Sequence, residues 1–246
     1  MDQWFGATSV YPFQAFSASH WIMLAIALAG LVSLLLLKNQ LRDSSDNFHW
    51  LRWTLFFLLL FSEISYQLWA FTSGVWSFNG HVPLHLCGIA SITAMIGLLT
   101  YNKIWIQISF FIGILPAFLA LITPELPYDY QHYRFWKFFV HHTSIPWACL
   151  FLALIKPKSI TLRSVFIVYL LLVLYAIIIG FLINPLTDSN YLYLSQLPDA
   201  ATPLNFFGKG YWYYLNLGAT ALAIFLLQYI LWQKLIIKQN KKAVRN

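Results

Sequence analysis

Charged side chains are scarce in this chain of 246 residues. Asp, Glu, Lys and Arg together make up 9% of it, and only eight residues are acidic, whereas an ordinary globular domain carries about 25% charged residues. Hydrophobic residues make up 60% and aromatic residues 19%. This composition excludes a typical soluble domain and indicates an integral membrane protein.

Cysteine is scarce as well. The chain has two, Cys87 and Cys149, and both fall inside long apolar segments. Two cysteines in such segments predict no disulfide framework and say nothing about the redox compartment.

Long apolar runs are abundant. Seven of them reach or approach the roughly 20 residues that a helix needs to cross a hydrocarbon core about 30 Å thick, whereas a β-barrel would show short alternating segments. No Lys or Arg precedes the first run, so we expect no cleavable signal peptide. The sequence predicts an all-α fold, one seven-helix transmembrane domain over residues 1–246, with spans near 20–37, 50–71, 82–100, 104–122, 135–155, 160–183 and 211–232.

The formal net charge of +7 is unevenly distributed. Twelve of the 15 Lys and Arg residues fall at connections on one side of the predicted membrane, and only Arg134, Lys137 and Lys209 fall on the other. The positive-inside rule then predicts an external N-terminus and a cytoplasmic C-terminus in the plasma membrane. We interpret the basic tail KLIIKQNKKAVRN as a topology determinant that contacts anionic lipid, and we expect no nucleic-acid binding.

Two connections on the predicted outer face are longer than the others, residues 123–134 and 184–210. Long loops with Pro, Asn and aromatic residues often close over a binding site. We therefore expect the functional site on this face.

Polar residues inside the spans are the candidates for function, because ionisable groups in hydrocarbon cost at least a few kcal/mol each. At about 1.5 Å per residue, Cys87 is expected roughly 8 Å below the outer start of the third span and His142 roughly 10 Å below that of the fifth. Glu63, Tyr66 and Gln67 form one face of the second span. Polar groups from three helices thus share one layer, and Asn184 is a further polar residue in a predicted span.

Several kinds of chemistry fit this layer. Cys87 can act as a nucleophile with His142 or His141 as the base and Glu63 as the orienting carboxylate, which suits acyl transfer through a thioester with a lipid acyl chain between helices. His81 and His85, four residues apart, predict one helix face and a zinc site completed by Glu63 or His142, although no HExxH pattern occurs. Packing cysteines and hydrogen-bonded histidines are the structural alternative.

The motifs PLHLC (83–87), LITPEL (121–126), RFWKFFVHH (134–142) and NYLYL (190–194), followed by Pro198, resemble the YwaF-type family of bacterial integral membrane proteins. That family is distantly related to the eukaryotic transmembrane protein 164 group, which resembles lipid acyltransferases with an intramembrane cysteine and histidine. The chain has GKGYWYY (208–214) where the family tends to have a Gly-Pro-Trp-Pro-Trp-Tyr style segment.

This resemblance implies a lipid acyltransferase or acyl hydrolase. It assigns the nucleophile to Cys87 and the base to His142, with His141 as a rival because the histidine is doubled. We expect Glu63 to assist and a substrate pocket of Tyr66, Gln67, His85 and Asn190, with membrane or acyl lipids as partners and neither cofactor nor metal. The alternatives are a non-enzymatic transporter or sensor that binds a proton or small polar solute through Glu63 and the histidines, and a metal-dependent lipid hydrolase.

Overall fold

The described part of the computed structural model, residues 2–198 and 202–243, is helical, with an isolated antiparallel bridge between Pro12 and Tyr128. The main helices are α1 (Ala18–Leu36), α2 (His49–Thr72), α3 (Leu86–Thr100), α4 (Lys103–Gly113 and Leu115–Ile122), α5 (Tyr133–Ile155), α6 (Leu162–Ile178) and α7 (Tyr211–Ala243). A π-helix, Ile179–Ile183, and one α-turn, Asn184–Thr187, continue α6. Short helices in the connections are Asp2–Phe5, Lys38–Asp43, Ser45–Phe48, Phe78–His81, Pro157–Ser159, Tyr191–Tyr193 and Pro203–Phe206.

Six of the described helical segments are long and apolar enough to cross a membrane. They are Ala18–Leu36, His49–Thr72, Lys103–Ile122, Tyr133–Ile155, Leu162–Thr187 and Tyr211–Leu235. The expectation of a helical multi-pass membrane protein is confirmed. The third predicted span is shorter: α3 has 15 residues, about 22 Å, against a hydrocarbon core of about 30 Å.

The sequence predicted a helix from residue 82, but α3 begins at Leu86. Pro83 lacks an N–H and fixes its φ, and His85 is extended as the N-cap. His81 instead ends a separate helix, Phe78–His81. The prediction that His81 and His85 share one helix face is therefore wrong, and Cys87 lies in the first turn of α3 rather than 8 Å below its start.

Other local signals define the remaining helix ends. Ser17, Asn102 and His132 accept hydrogen bonds from first-turn amides of α1, α4 and α5, and Thr161 forms a capping box at α6. In α4, Pro116 follows a break at Ile114 that divides the helix in two.

The central helix of the bundle is α5. It packs against α1, α2, α3 and α4, whereas α6 packs on α7 and on the first part of α4. Gln228 of α7 donates a hydrogen bond to the Phe110 carbonyl of α4. Accordingly, 72% of the residues in an apolar stretch of 18 residues within α5 are buried, against 11% in the corresponding stretch of α6 and its continuation. Most side chains that α5 presents to its neighbouring helices are therefore enclosed by protein.

One end of the bundle holds the end of α2 and the starts of α3 and α5, and we call it the site end. The N-terminal segment covers part of it: the Phe13 amide donates to the Pro127 carbonyl (3.2 Å) and the Asp129 amide to the Tyr11 carbonyl (3.0 Å). From the 184–210 connection, Tyr191 donates to the Phe78 carbonyl. Within that connection, residues 199–201 lie outside the described part, as do the side chains of most of the basic tail.

Candidate functional site

The two cysteines occupy different environments. Cys149 is buried in α5, and a Cβ added to Gly113 would lie 2.4 Å from its Sγ, so the thiol fills space that glycine leaves open. Cys87 is half-buried in the first turn of α3. Of the two thiols, only Cys87 combines partial access with a place among polar groups.

The backbone before Cys87 folds back tightly on the helix. A Cβ on Gly88 would lie 2.4 Å from the Pro83 carbonyl oxygen, so this close approach requires glycine. The His85 side chain provides no cap for α3, and the first amide N–H groups of a helix have no intrahelical partner. The first turn of α3, which carries Cys87, therefore offers backbone donors and a helix dipole that favour a negative charge placed near them.

His142 is held in one tautomer. Its Nδ1 lies 2.9 Å from the Phe138 carbonyl oxygen, and its ring stacks on Phe138 at 4.1 Å. Because a carbonyl oxygen only accepts hydrogen bonds, Nδ1 carries the proton and Nε2 is the nitrogen able to receive one. Pro146, four residues further along α5, cannot donate the usual helical hydrogen bond to the His142 carbonyl.

His141 has a different environment. It is 3% exposed, and its Nδ1 lies 3.1 Å from Ser62 Oγ on α2. The two imidazole rings are 5.6 Å apart at 75°. Thus His141 joins α5 to α2, whereas His142 is half-buried.

Glu63 and Gln67 form a connected pair on α2. Gln67 Nε2 donates to Glu63 Oε1 and to the His81 carbonyl, both at 2.7 Å, while Trp76 Nε1 donates to Gln67 Oε1 at 2.9 Å. Gln67, predicted to line the substrate pocket, therefore ties the connection between α2 and α3 to α2. Glu63 pairs with Gln67 and Lys137, rather than with a histidine.

Lys137 belongs to the same group, and the sequence reasoning missed it as a site residue. Its Nζ lies 3.9 Å from Glu63 Oε2 and 4.1 Å from the centre of the Tyr66 ring, with the side chain 14% exposed. It also interacts electrostatically with Cys87 and His142. The sequence signal for including Lys137 in the site was its spacing of four residues from His141, since residues with this spacing share a helix face.

Tyr66 connects this group to the short helix before α3. Its ring stacks on His81 at 5.3 Å and on Trp69 at 5.9 Å. Burial lowers the pKa of His81, and the positive charges of Arg134 and Lys137 act in the same direction. Neutral His81 therefore forms part of the wall near the cation.

His85 and Asn190, also predicted to line the pocket, make contacts elsewhere. The His85 ring lies 5.1 Å from that of Tyr191 and 5.3 Å from that of Tyr193. Asn190 Nδ2 donates to the Gln196 carbonyl, and its Oδ1 accepts from the amides of Ser195 and Gln196. Its amide group thus holds its own loop.

Asn184, a polar residue in a predicted span, has a structural role. Its side chain donates to the Tyr191 carbonyl and accepts from the Tyr191 amide, each at 3.0 Å. This pair of bonds fixes the turn after α6, so a polar residue in a predicted span serves the fold.

Two buried hydroxyls mark polar positions next to this group. Ser91 lies one turn beyond Cys87 on α3, and Thr143 follows His142 on α5; neither has a hydrogen-bond partner within residues 2–198 and 202–243. Over the same residues, no group of three His, Cys, Asp or Glu side chains is placed to hold a metal ion. The arrangement combines a thiol, a proton acceptor and a cation, which are the parts needed for nucleophilic acyl chemistry.

A family model described as the TMEM164 family matches residues 15–229. This range includes the whole of the site just described. No curated protein and no solved structure matches the chain.

Proposed function

The chain belongs to the TMEM164 family, and from this we propose that it transfers or hydrolyses a lipid acyl group with Cys87 as nucleophile and His142 as base. The observation that carries the proposal is the group at the start of α3. The half-buried Cys87 belongs to the first turn of α3, whose N-cap side chain makes no capping hydrogen bond, and the charge of Lys137 acts on both the thiol and the His142 imidazole.

The chemistry proceeds in two halves. His142 Nε2 takes the proton from Cys87 Sγ, and the thiolate attacks the ester carbonyl carbon of the lipid. The carbon–oxygen bond breaks, and the leaving alkoxide receives the proton from His142, which leaves a thioester on Cys87. An acceptor hydroxyl or water then gives its proton to His142 and attacks the thioester; the carbon–sulfur bond breaks and the thiolate is reprotonated.

Positive charge and backbone donors have a defined part in this scheme. The tetrahedral intermediate carries negative charge on the former carbonyl oxygen, which donors positioned in advance stabilise. The first-turn amides of α3 and the Lys137 ammonium fit this role. Glu63 then orients Lys137, since its carboxylate lies 3.9 Å from Nζ, and Tyr66 packs against the same ammonium.

The finer assignments belong to the same proposal. We place the protein in the bacterial YwaF-like branch, because the PLHLC and FFVHH motifs resemble it. We also propose one seven-span domain in the plasma membrane, with the N-terminus outside and α3 as a short third span. Membrane lipids are its partners, and the site end faces outward.

Acyl exchange between phosphatidylcholine and a lysophospholipid, followed by mass spectrometry in reconstituted vesicles, tests the mechanism. We expect Cys87→Ser to lower exchange roughly 10³-fold or more and His142→Ala by about 10²–10⁴-fold. Cys149→Ser is the matched control and keeps wild-type exchange, because Cys149 lies in the hydrophobic core beside Gly113 and Ser109 and takes no part in the scheme. Wild-type exchange by Cys87→Ser would exclude the mechanism.

The pairing of Glu63 with Lys137 supports a second candidate, a transporter or sensor that binds a proton or small polar solute. A carboxylate and an ammonium 3.9 Å apart within the helix bundle are typical of solute and proton pathways. This candidate predicts pH-dependent transport that survives Cys87→Ala and is lost in Glu63→Gln. Transport measured in vesicles thus separates it from acyl transfer.

A further inference from the structure

A groove of about 620 Å³ runs between α2 and α5, a volume within the range of small-molecule sites. Its α2 wall is one helix face that repeats every three or four residues from Trp50 to Ser65, about 22 Å in length. Trp53, Phe57 and Phe61 form a ladder along it, with Phe57 and Phe61 stacked at 5.5 Å. The α2 wall of the groove is therefore long and aromatic.

The polarity of the groove changes along its length. Aromatic and aliphatic side chains dominate the part away from the site end, whereas Ser62, Ser65, Tyr133 and Lys137 line the part near it. Tyr133 donates to Ser65 Oγ at 2.6 Å, which joins α2 and α5 there. The groove thus has an apolar body and a polar, cationic end.

Lys137 is shared by the groove and the catalytic group. It lines the groove, while its ammonium lies against Tyr66 and near Glu63. Ser62 is shared in the same way, because its hydroxyl contacts His141. A ligand that fills the groove therefore ends beside Lys137 and Ser62, the two side chains that connect the groove to Glu63 and to His141.

We propose that the groove binds one acyl chain of the phospholipid substrate, with its ester at Lys137 and its methyl end toward Trp50. The inference rests on the proposed function, for which it specifies the chain-binding part of the site. An acyl ester consists of an apolar chain that ends in polar oxygen atoms, which matches the apolar body and the polar end of the groove. The negatively charged lipid phosphate complements the Lys137 ammonium. The α2 wall, about 22 Å long, exceeds the depth of one hydrocarbon leaflet, about half of 30 Å, so an extended chain fits along it.

Photo-crosslinking tests this binding without requiring turnover. Phosphatidylcholine with a diazirine in its acyl chain is incorporated into vesicles containing the wild-type or Cys87→Ser protein, and adducts are mapped after irradiation. We expect adducts concentrated on the groove faces of α2 and α5 in both proteins. Adducts spread evenly over all lipid-facing helices would overturn the proposal.

A matched pair of substitutions identifies the path of the chain. Thr54 is exposed in the groove and Ala219 is exposed on α7, away from it. Thr54→Trp is expected to reduce groove adducts about tenfold by steric exclusion, whereas Ala219→Trp leaves them unchanged. A probe whose chain is too short to reach Thr54 should label both variants equally.

The results separate the two proposals. Groove adducts that Thr54→Trp removes, together with exchange that Cys87→Ser does not reduce, would support the chain site and exclude the thioester mechanism. Exchange that depends on Cys87, together with adducts insensitive to Thr54→Trp, would exclude the chain site alone.

Discussion

Lys137 illustrates how one side chain can join several parts of this molecule. Its stem lies along the groove between α2 and α5, and its ammonium contacts Tyr66 and Glu63. A lysine commonly buries its aliphatic stem while its charge finds a polar partner. Here that partner lies inside the protein, so the cation is held between α2 and α5 by Glu63 and Tyr66.

Replacement of Lys137 by Met keeps a similar stem and removes the charge. We expect acyl exchange to fall by about 10²–10³-fold, the effect of losing one stabilising group for a developing oxyanion. Lys209→Met is the control, since Lys209 is exposed in the loop before α7. Equal exchange rates for the two variants would remove Lys137 from the mechanism.

The adjacent histidines are expected to respond differently to substitution. His141→Gln loses the contact with Ser62, so stability should fall by about 1 kcal/mol, while exchange persists. Ser62→Ala should lower the thermal midpoint by a similar amount. His142→Gln should instead reduce exchange with little change in the midpoint. If His141→Gln alone abolished exchange at an unchanged midpoint, His141 would be the base.

At the residue scale, the sequence singled out Cys87, Glu63 and the two histidines, and the structure brings elements carrying them together. The sequence could not reveal that the side-chain amides of Gln67 and Asn190 are already engaged in hydrogen bonds with other parts of the protein. Lys137 was counted only among the charges on the predicted outer side, because the positive-inside rule takes no account of where a side chain points.

Among the helices, the start of α3 is the element on which the site depends most. Gly88→Ala would bring a Cβ within 2.4 Å of the Pro83 carbonyl oxygen, so the backbone around Cys87 must move. We expect a large loss of exchange in a protein that still inserts and folds, measured by exchange and by thermal unfolding.

Gly80→Ala is the control for that substitution. It lies in the same connection, but the nearest atom to its added Cβ is a serine hydroxyl at 3.1 Å, which can rotate away. Exchange should remain near the wild-type rate. A fully active Gly88→Ala protein would show that the position of Cys87 is not restricted by this contact.

At the element scale, hydropathy predicted where apolar helices lie but not where the backbone is interrupted. Residues 82–85 are apolar enough to extend a helix, yet Pro83 and the extended His85 delay its start to Leu86. The π-helix Ile179–Ile183 had no sequence signal, because its residues are as apolar as those of the α-helix before it. Breaks of this kind depend on backbone geometry and tertiary contacts.

At the scale of the whole molecule, composition and apolar runs predicted the class of all-α membrane protein and six of the spans. They did not predict the central position of α5. Length and hydropathy describe each helix separately, and α6 is the most apolar of the six candidate spans although it is peripheral. The orientation in the membrane rests on the distribution of Lys and Arg and is a prediction.

Cysteine labelling tests that orientation. Tyr130 is exposed in the connection between α4 and α5, and Lys158 is exposed at the opposite end of α5. In a protein without Cys87 and Cys149, we expect an impermeant maleimide on intact cells to label Tyr130→Cys and to leave Lys158→Cys unlabelled until the cells are opened. The reverse pattern would invert the topology.

The central claim is that Cys87 carries an acyl group during turnover, and trapping that thioester tests it most directly. The purified protein is incubated in vesicles with phosphatidylcholine bearing an alkyne-tagged acyl chain, quenched with acid, digested and mapped by mass spectrometry. We predict a hydroxylamine-sensitive acyl adduct on Cys87 that is absent from Cys87→Ser and unaffected by Cys149→Ser. An adduct confined to Cys149, or no adduct on either cysteine while exchange proceeds, would contradict the account.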